Sequence, residues 1–111
     1  MREPTFFILT AVIRAPLHGY GIIQAVEELS GGRIHLKAGT LYPALDRLTA
    51  TGLIVVDREE ITTGRLRRYY TISADGRAAL EAAADQMRAN ASVATTRLRE
   101  AFGRTVSVRH A

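Results

Sequence analysis

Gly39-Thr40-Leu41-Tyr42-Pro43-Ala44-Leu45-Asp46-Arg47-Leu48 places Leu41, Ala44, Leu45 and Leu48 on one face at helical spacing, and Gly52 follows as a C-terminal stop. The apolar stripe anchors this helix to a core and leaves Thr40, Tyr42, Pro43, Asp46 and Arg47 on or near the exposed face. Pro43 has no backbone donor and belongs in the first turn or so. The helix therefore starts near Gly39 or Thr40, or at Ala38 with a slight kink.

Upstream, Pro4 suits a first helical turn, and Phe6, Leu9, Val12 and Ile13 recur at helical spacing until Arg14, Ala15 and Pro16 interrupt. Leu17-His18-Gly19-Tyr20-Gly21 is turn-rich and leads into a second helix, whose face of Ile22, Ile23, Val26 and Leu29 ends at Gly31-Gly32. Downstream the pattern changes from helical to extended. Leu53-Ile54-Val55-Val56 is a β-branched run, and Leu66, Arg68, Tyr70 and Ile72 alternate onto one face of a second strand, with Arg67 and Tyr69 on the other. Asp57 to Arg65 reads as a polar tip between the two strands, so the pair forms a hairpin.

Ser73 reads as an N-cap with Asp75 in the first turn of a long helix reaching about Phe102, which Gly76 weakens at its start. Along it Leu80, Ala84, Met87, Ala91, Ala94, Leu98 and Ala101 follow steps of four and three, the seam of a helix that packs lengthwise on another. At ~1.5 Å per residue that seam is longer than a small domain covers, which calls for a second copy of the chain. Alanine at four of the seven positions buries little area. Phe6 and Phe7, read as lying on different sides of the first helix, are the natural supplement to the dimer interface. Residues 103–111 show no periodicity and are expected to be a disordered tail.

The 111 residues suit one small domain (residues 1–72) followed by a dimerisation helix (73–102). Hydrophobic residues at 47% and charged residues at 23% allow a buried core. No apolar run approaches a membrane span, and Phe6 to Ile13 lacks the flanks of a signal peptide, so a cytoplasmic protein is expected. With no Cys there is neither a thiolate metal site nor a cysteine nucleophile. His18 and His35 are far apart with no adjacent carboxylate pair, and read as structural or solvated. No nucleophile–base pair, paired-carboxylate motif or cofactor loop is present, which argues against an enzyme and against any cofactor.

Lys plus Arg is 15 against 11 for Asp plus Glu, a net charge of +4 that favours a polyanionic partner. Lys37 is the sole lysine. Three short helices and a hairpin, with cations on the third helix and on the hairpin, form the layout of a winged helix-turn-helix: a mainly α fold with a small β wing, carrying a long C-terminal helix. The third helix offers Lys37, Gly39, Thr40, Tyr42, Pro43 and Arg47 to double-stranded DNA at its N-terminal end. The wing offers Arg65 and Arg67 to the adjacent backbone. A protein-interaction adaptor is the rival reading, and it has no need of cations on that surface.

His18-Gly19-Tyr20-Gly21-Ile22, the Gly39 to Leu48 stretch, Gly52-Leu53-Ile54 and Gly64-Arg65-Leu66-Arg67-Arg68-Tyr69-Tyr70 together resemble the PadR family of bacterial transcriptional regulators, from about residue 4 to residue 80. The single terminal helix is similar to that of the short subfamily, in which it dimerises two winged domains. The resemblance implies a homodimeric repressor of a pseudo-palindromic operator, released in many members by a small molecule. Two departures stand out. Leu66 occupies a place where the family wing often has Pro, and there is no Trp of the kind some short members use to stack planar drugs. Phe6, Phe7, Met87 and Phe102 are the candidates for a pocket taking a small apolar or aromatic effector.

Overall fold

A computed structural model of the chain describes residues 1–103; of the disordered tail expected over 103–111, all but Gly103 lies outside the described residues. The elements in order are α1 (Glu3–Ala11), α2 (Gly19–Leu29), α3 (Ala38–Ala50), β1 (Ile54–Thr62), β2 (Arg65–Ile72) and α4 (Ala74–Phe102). Two strands pair antiparallel and four helices make up the rest, the expected winged helix-turn-helix with a long last helix. Among the described residues no helix is long and apolar enough to cross a membrane.

Pro4 sits in the first turn of α1, where its missing amide costs nothing. The helix ends at Ala11, earlier than the Arg14-Ala15-Pro16 interruption, so Val12 is its C-cap and Ile13 is 49% exposed instead of joining the buried stripe. Phe6 and Phe7 are both half-buried, and their rings pack edge to face at 5.5 Å. α3 starts at Ala38, with Lys37 as its N-cap, so Pro43 falls beyond the first turn and inside the helix. Its missing amide leaves the Gly39 carbonyl without its helical donor, and both residues are exposed, so water can satisfy that group. At the other end Gly52, with φ of +79°, lets the Gly52 and Leu53 amides donate back to Thr49 and Leu48 at 3.1 and 2.9 Å.

The segment expected as a polar tip is strand for most of its length. β1 continues through Asp57-Arg58-Glu59-Glu60-Ile61-Thr62, and only Thr63 and Gly64 form the turn, with φ of +53° and +74°. Those angles suit a two-residue hairpin loop whose twist matches the strands. The register passes from Val56↔Tyr70 to Arg58↔Tyr69, so Asp57 is an extra residue and the wing bends there. Leu17 adds a one-residue bridge to the sheet, exchanging both backbone hydrogen bonds with Tyr70 at 2.9 and 3.0 Å.

Two compact units divide the chain, Met1–Leu80 and a second beginning at Glu81. The core of the first is built from Ile8, Leu9 and Val12, from Ile22 and Val26, from Leu41, Ala44, Leu45 and Leu48, and from Ile54, Tyr70 and Leu80. Tyr70 is buried, while Leu66 on the same strand face is 57% exposed because the wing runs out beyond the core. Ser73 caps α4 as expected, its Oγ accepting from the Gly76 amide at 2.9 Å and its hydroxyl donating to the Gly52 carbonyl at 2.6 Å. In the second unit α4 leaves Met87, Val93, Leu98 and Phe102 between 44% and 65% exposed.

Candidate nucleic-acid interface

Alternating charge along the wing sorts its arginines into two sets. Glu59 and Glu60, brought into β1 by its extension, stand opposite Arg68 and Arg67 in the ladder. Glu59 accepts from Arg68 at 2.7 Å, and Arg58 is shared between Asp57 and Glu60 while its guanidinium lies 4.0 Å over the Tyr69 ring. Arg65 and Arg67 make no salt bridge among the described residues, nor do Lys37 and Arg47 on α3. The cations singled out in the sequence are thus without an acidic partner, as is Arg2.

Between wing and helix lies a cleft of about 440 Å³. β2 supplies Arg65, Leu66, Arg67, Arg68 and Tyr70, α3 supplies Tyr42 and Asp46, and the start of α2 supplies His18, Gly19 and Tyr20. Tyr42 is 48% exposed and its ring lies against Gly19. Of the expected DNA-contacting residues, Tyr42, Arg65 and Arg67 meet in this cleft. Gly39, Thr40, Pro43 and Arg47 line a second hollow of about 320 Å³, shared with Arg2, Pro4, Thr5 and Ile8 of the N-terminal segment. Lys37 stands apart from both at the N-terminus of α3, where no side chain caps the free amides. The two groups fall on neighbouring strips of α3, as residues 39, 43 and 47 and residues 42 and 46 must at helical spacing.

Two further cleft residues are His18, read from the sequence as structural or solvated, and Asp46, placed there only on or near the exposed face of the helix. Asp46 puts a carboxylate among guanidinium groups, and a carboxylate facing a groove can accept from a cytosine amino group. His18 arrives through the Leu17–Tyr70 bridge, which fixes the residue before α2 against β2. Burial, and then the positive charge of Arg67, hold the His18 imidazole below its ordinary pKa. Burial also pushes the Tyr70 phenol up.

The glycine before Tyr20 has a spatial function. A Cβ on Gly19 would overlap the Tyr42 hydroxyl and stand 2.7 Å from Cζ. Tyr42 is half-exposed and can swing aside, so Gly19→Ala is expected to cost little stability. It should weaken duplex DNA binding by roughly fivefold, by moving the hydroxyl out of the cleft. Fluorescence anisotropy beside a thermal melt checks this; unchanged affinity would show that the placement of Tyr42 is immaterial.

The candidate dimer and effector residues are divided between the two units. Leu80 is only 8% exposed and packs in the core of the first unit, so the free part of the seam begins at Ala84. Ala91, Ala94 and Ala101 are exposed, as are Met87 and Leu98. Phe6 and Phe7 pack against the first unit's core, and Phe102 is 64% exposed. Among the described residues no group of His and carboxylate side chains could hold a metal ion.

Comparison with known proteins bears on the family and the fold. The family model described as Transcriptional regulator PadR-like family matches residues 8–82. Over 64 residues, 58% of the chain, the sequence is 44% identical to a transcriptional regulator of Mycobacterium tuberculosis. The chain spans only 56% of that relative's length, and 23% and 28% of two further curated relatives. A PadR family transcription regulator from Clostridium difficile superposes with a TM-score of 0.72 at 24% identity, over 87% of this chain and 99% of that one. Bacillus subtilis PadR in complex with operator DNA does so at 0.65 with 30% identity, over 73% of this chain and 45% of that one.

Proposed function

Because the chain belongs to the PadR-like family of transcriptional regulators, we propose that it is a homodimeric repressor that binds double-stranded DNA at a pseudo-palindromic operator in the cytoplasm. The observation that carries this reading is the pair of unneutralised wing arginines, Arg65 and Arg67, beside the exposed strip of α3 bearing Tyr42. α3 enters the major groove, with Lys37, Gly39, Thr40, Pro43 and Arg47 at its approach to the backbone, while the wing fixes register on the neighbouring phosphates. The similarity to Bacillus subtilis PadR, solved with operator DNA, supports the same mode. Residues 1–72 are the DNA-binding part and residues 73–102 the dimerisation helix. Two copies present their α3 helices about 34 Å apart, matching half-sites one turn apart. Release by a small apolar or aromatic effector completes the reading.

Binding of the purified protein to its own upstream intergenic DNA and to scrambled DNA, across a salt series, tests it. A preference of about 10³ for the upstream fragment, with log affinity falling linearly in log salt, is expected. Equal weak binding to both would sink the specific-repressor reading.

Dimerisation has its own test. Met87 and Leu98 are 47% and 44% exposed on the seam, so Glu at both positions desolvates charge wherever two seams meet. Light scattering should then give the mass of one chain instead of two, and operator affinity should fall roughly a hundredfold as the two half-sites are no longer linked. An unchanged mass would place the dimer interface elsewhere.

A further inference from the structure

The ring of His18 faces two hydrogen-bond donors at once. The Gly21 amide lies 3.4 Å from Nδ1, where the imidazole acts as N-cap of α2, and Nη1 of Arg67 lies 3.3 Å from Nε2. A neutral imidazole has one N–H and one lone pair, and a guanidinium has donors only, so both contacts cannot be hydrogen bonds. The Gly21 amide is fixed in the first turn of a helix, whereas Arg67 sits at the end of a long, rotatable side chain. We infer that the backbone partner decides the tautomer, so that Nδ1 accepts and the proton sits on Nε2. The Tyr69 ring, edge-on at 5.3 Å and 84°, holds the imidazole in that orientation.

Two N–H donors, Nε2–H of His18 and the Arg67 guanidinium, then point into the cleft and face each other without a bond between them. What completes such a pair is one acceptor placed between them, preferably an anionic one. The neighbouring acids are unsuited: Glu59 and Glu60 are engaged with Arg68 and Arg58, and Asp46 lies across the cleft on α3. We propose that His18 and Arg67 form a two-point clamp for a single phosphodiester oxygen of bound DNA, with His18 contributing a neutral N–H. The clamp rests on the DNA-binding reading above and gives one phosphate a defined seat at the junction of α2 and the wing. Burial and the Arg67 charge both keep the imidazole neutral, which preserves the Nδ1 lone pair for the α2 cap.

Nitrogen-15 NMR of the His18 ring in the free protein reads the tautomer directly. The Nε2-protonated form is expected, and an Nδ1-protonated ring would overturn the clamp whatever the protein does with DNA. His18→Asn keeps an N-capping oxygen for the Gly21 amide and withdraws the donor from the cleft. Its melting temperature should match the parent protein. Its affinity for the upstream fragment and for scrambled duplex should fall by the same factor, roughly tenfold. Because the donor is neutral, the slope of log affinity against log salt should stay unchanged, unlike that of an Arg67 variant. Parental affinity in His18→Asn refutes the clamp while leaving DNA binding intact, and a failure of both proteins to retain any duplex refutes both readings.

Discussion

Replacing Arg65 and Arg67 together by Glu is expected to lower duplex DNA affinity by on the order of 10³ at about 0.1 M salt, with the melting temperature lowered by at most roughly 4 to 8 °C. Neither arginine makes a salt bridge among the described residues, so the folded domain loses no ion pair. Arg65 is exposed at the end of the wing, and the one polar side-chain contact of Arg67 is with His18. Glu at position 67 faces Glu60 across the ladder, and that like-charge pair together with the lost His18 contact costs up to about 1 kcal/mol. In the complex each exchange removes a cation from a phosphate ridge and puts an anion there, and a dimer does so at both half-sites. The slope of log affinity against log salt should flatten by about one for each phosphate that is no longer neutralised. Reversing Arg68 is the internal comparison: Glu59 already neutralises it at 2.7 Å, so its removal should cost far less binding. If the double variant binds as the parent does, the wing does not touch DNA and the proposed mode falls.

The helices and the buried face of α3 were legible because apolar residues at helical spacing report burial directly: Leu41, Ala44, Leu45 and Leu48 are all in the core. The extent of the wing was not. Asp57 to Thr62 is exposed on both faces, so no alternation betrays it as strand, and its conformation comes from pairing with Arg65 to Tyr69 across a two-residue turn. The same blind spot hid the sorting of the arginines, since their partners Asp57, Glu59 and Glu60 belong to that segment. Pro43 misled in a different way. A proline in a helix interior loses one hydrogen bond and crowds the carbonyl four residues back, and here that carbonyl belongs to Gly39, an exposed residue that water can reach. His18 could be found only by knowing that Leu17 bridges Tyr70, a pairing of large sequence separation that no local pattern encodes. Its position directly before Gly19 at the start of a helix was the one local sign, that of an N-cap.

Gly76→Ala is expected to destabilise the first unit by about 3 kcal/mol, against the usual helical preference for alanine. Gly76 is buried where the first turn of α4 meets Leu53, just before β1, and Ile72 at the end of β2. A Cβ there would overlap the Leu53 carbonyl oxygen and stand 2.8 Å from Cγ1 of Ile72. Neither neighbour can give way cheaply. The Leu53 carbonyl accepts from the Ser73 amide at 3.1 Å, and the Leu53 amide donates to Leu48 at 2.9 Å, tying that residue to the end of α3 and to the cap of α4. Relief would require α4 to lift off, breaking the Ser73 cap and withdrawing Leu80 from the core. What looks in the sequence like a weak first turn is therefore a close approach that only glycine permits. For a unit of this size 3 kcal/mol corresponds to a drop of roughly 12 to 24 °C in melting temperature. Gly39→Ala supplies the contrast. Nothing lies within 4 Å of its added Cβ, and alanine in a helix should hold or raise stability by up to about 1 kcal/mol. A calorimetric scan of the two variants showing equal melting temperatures would mean that α4 is not seated on β1 through Gly76.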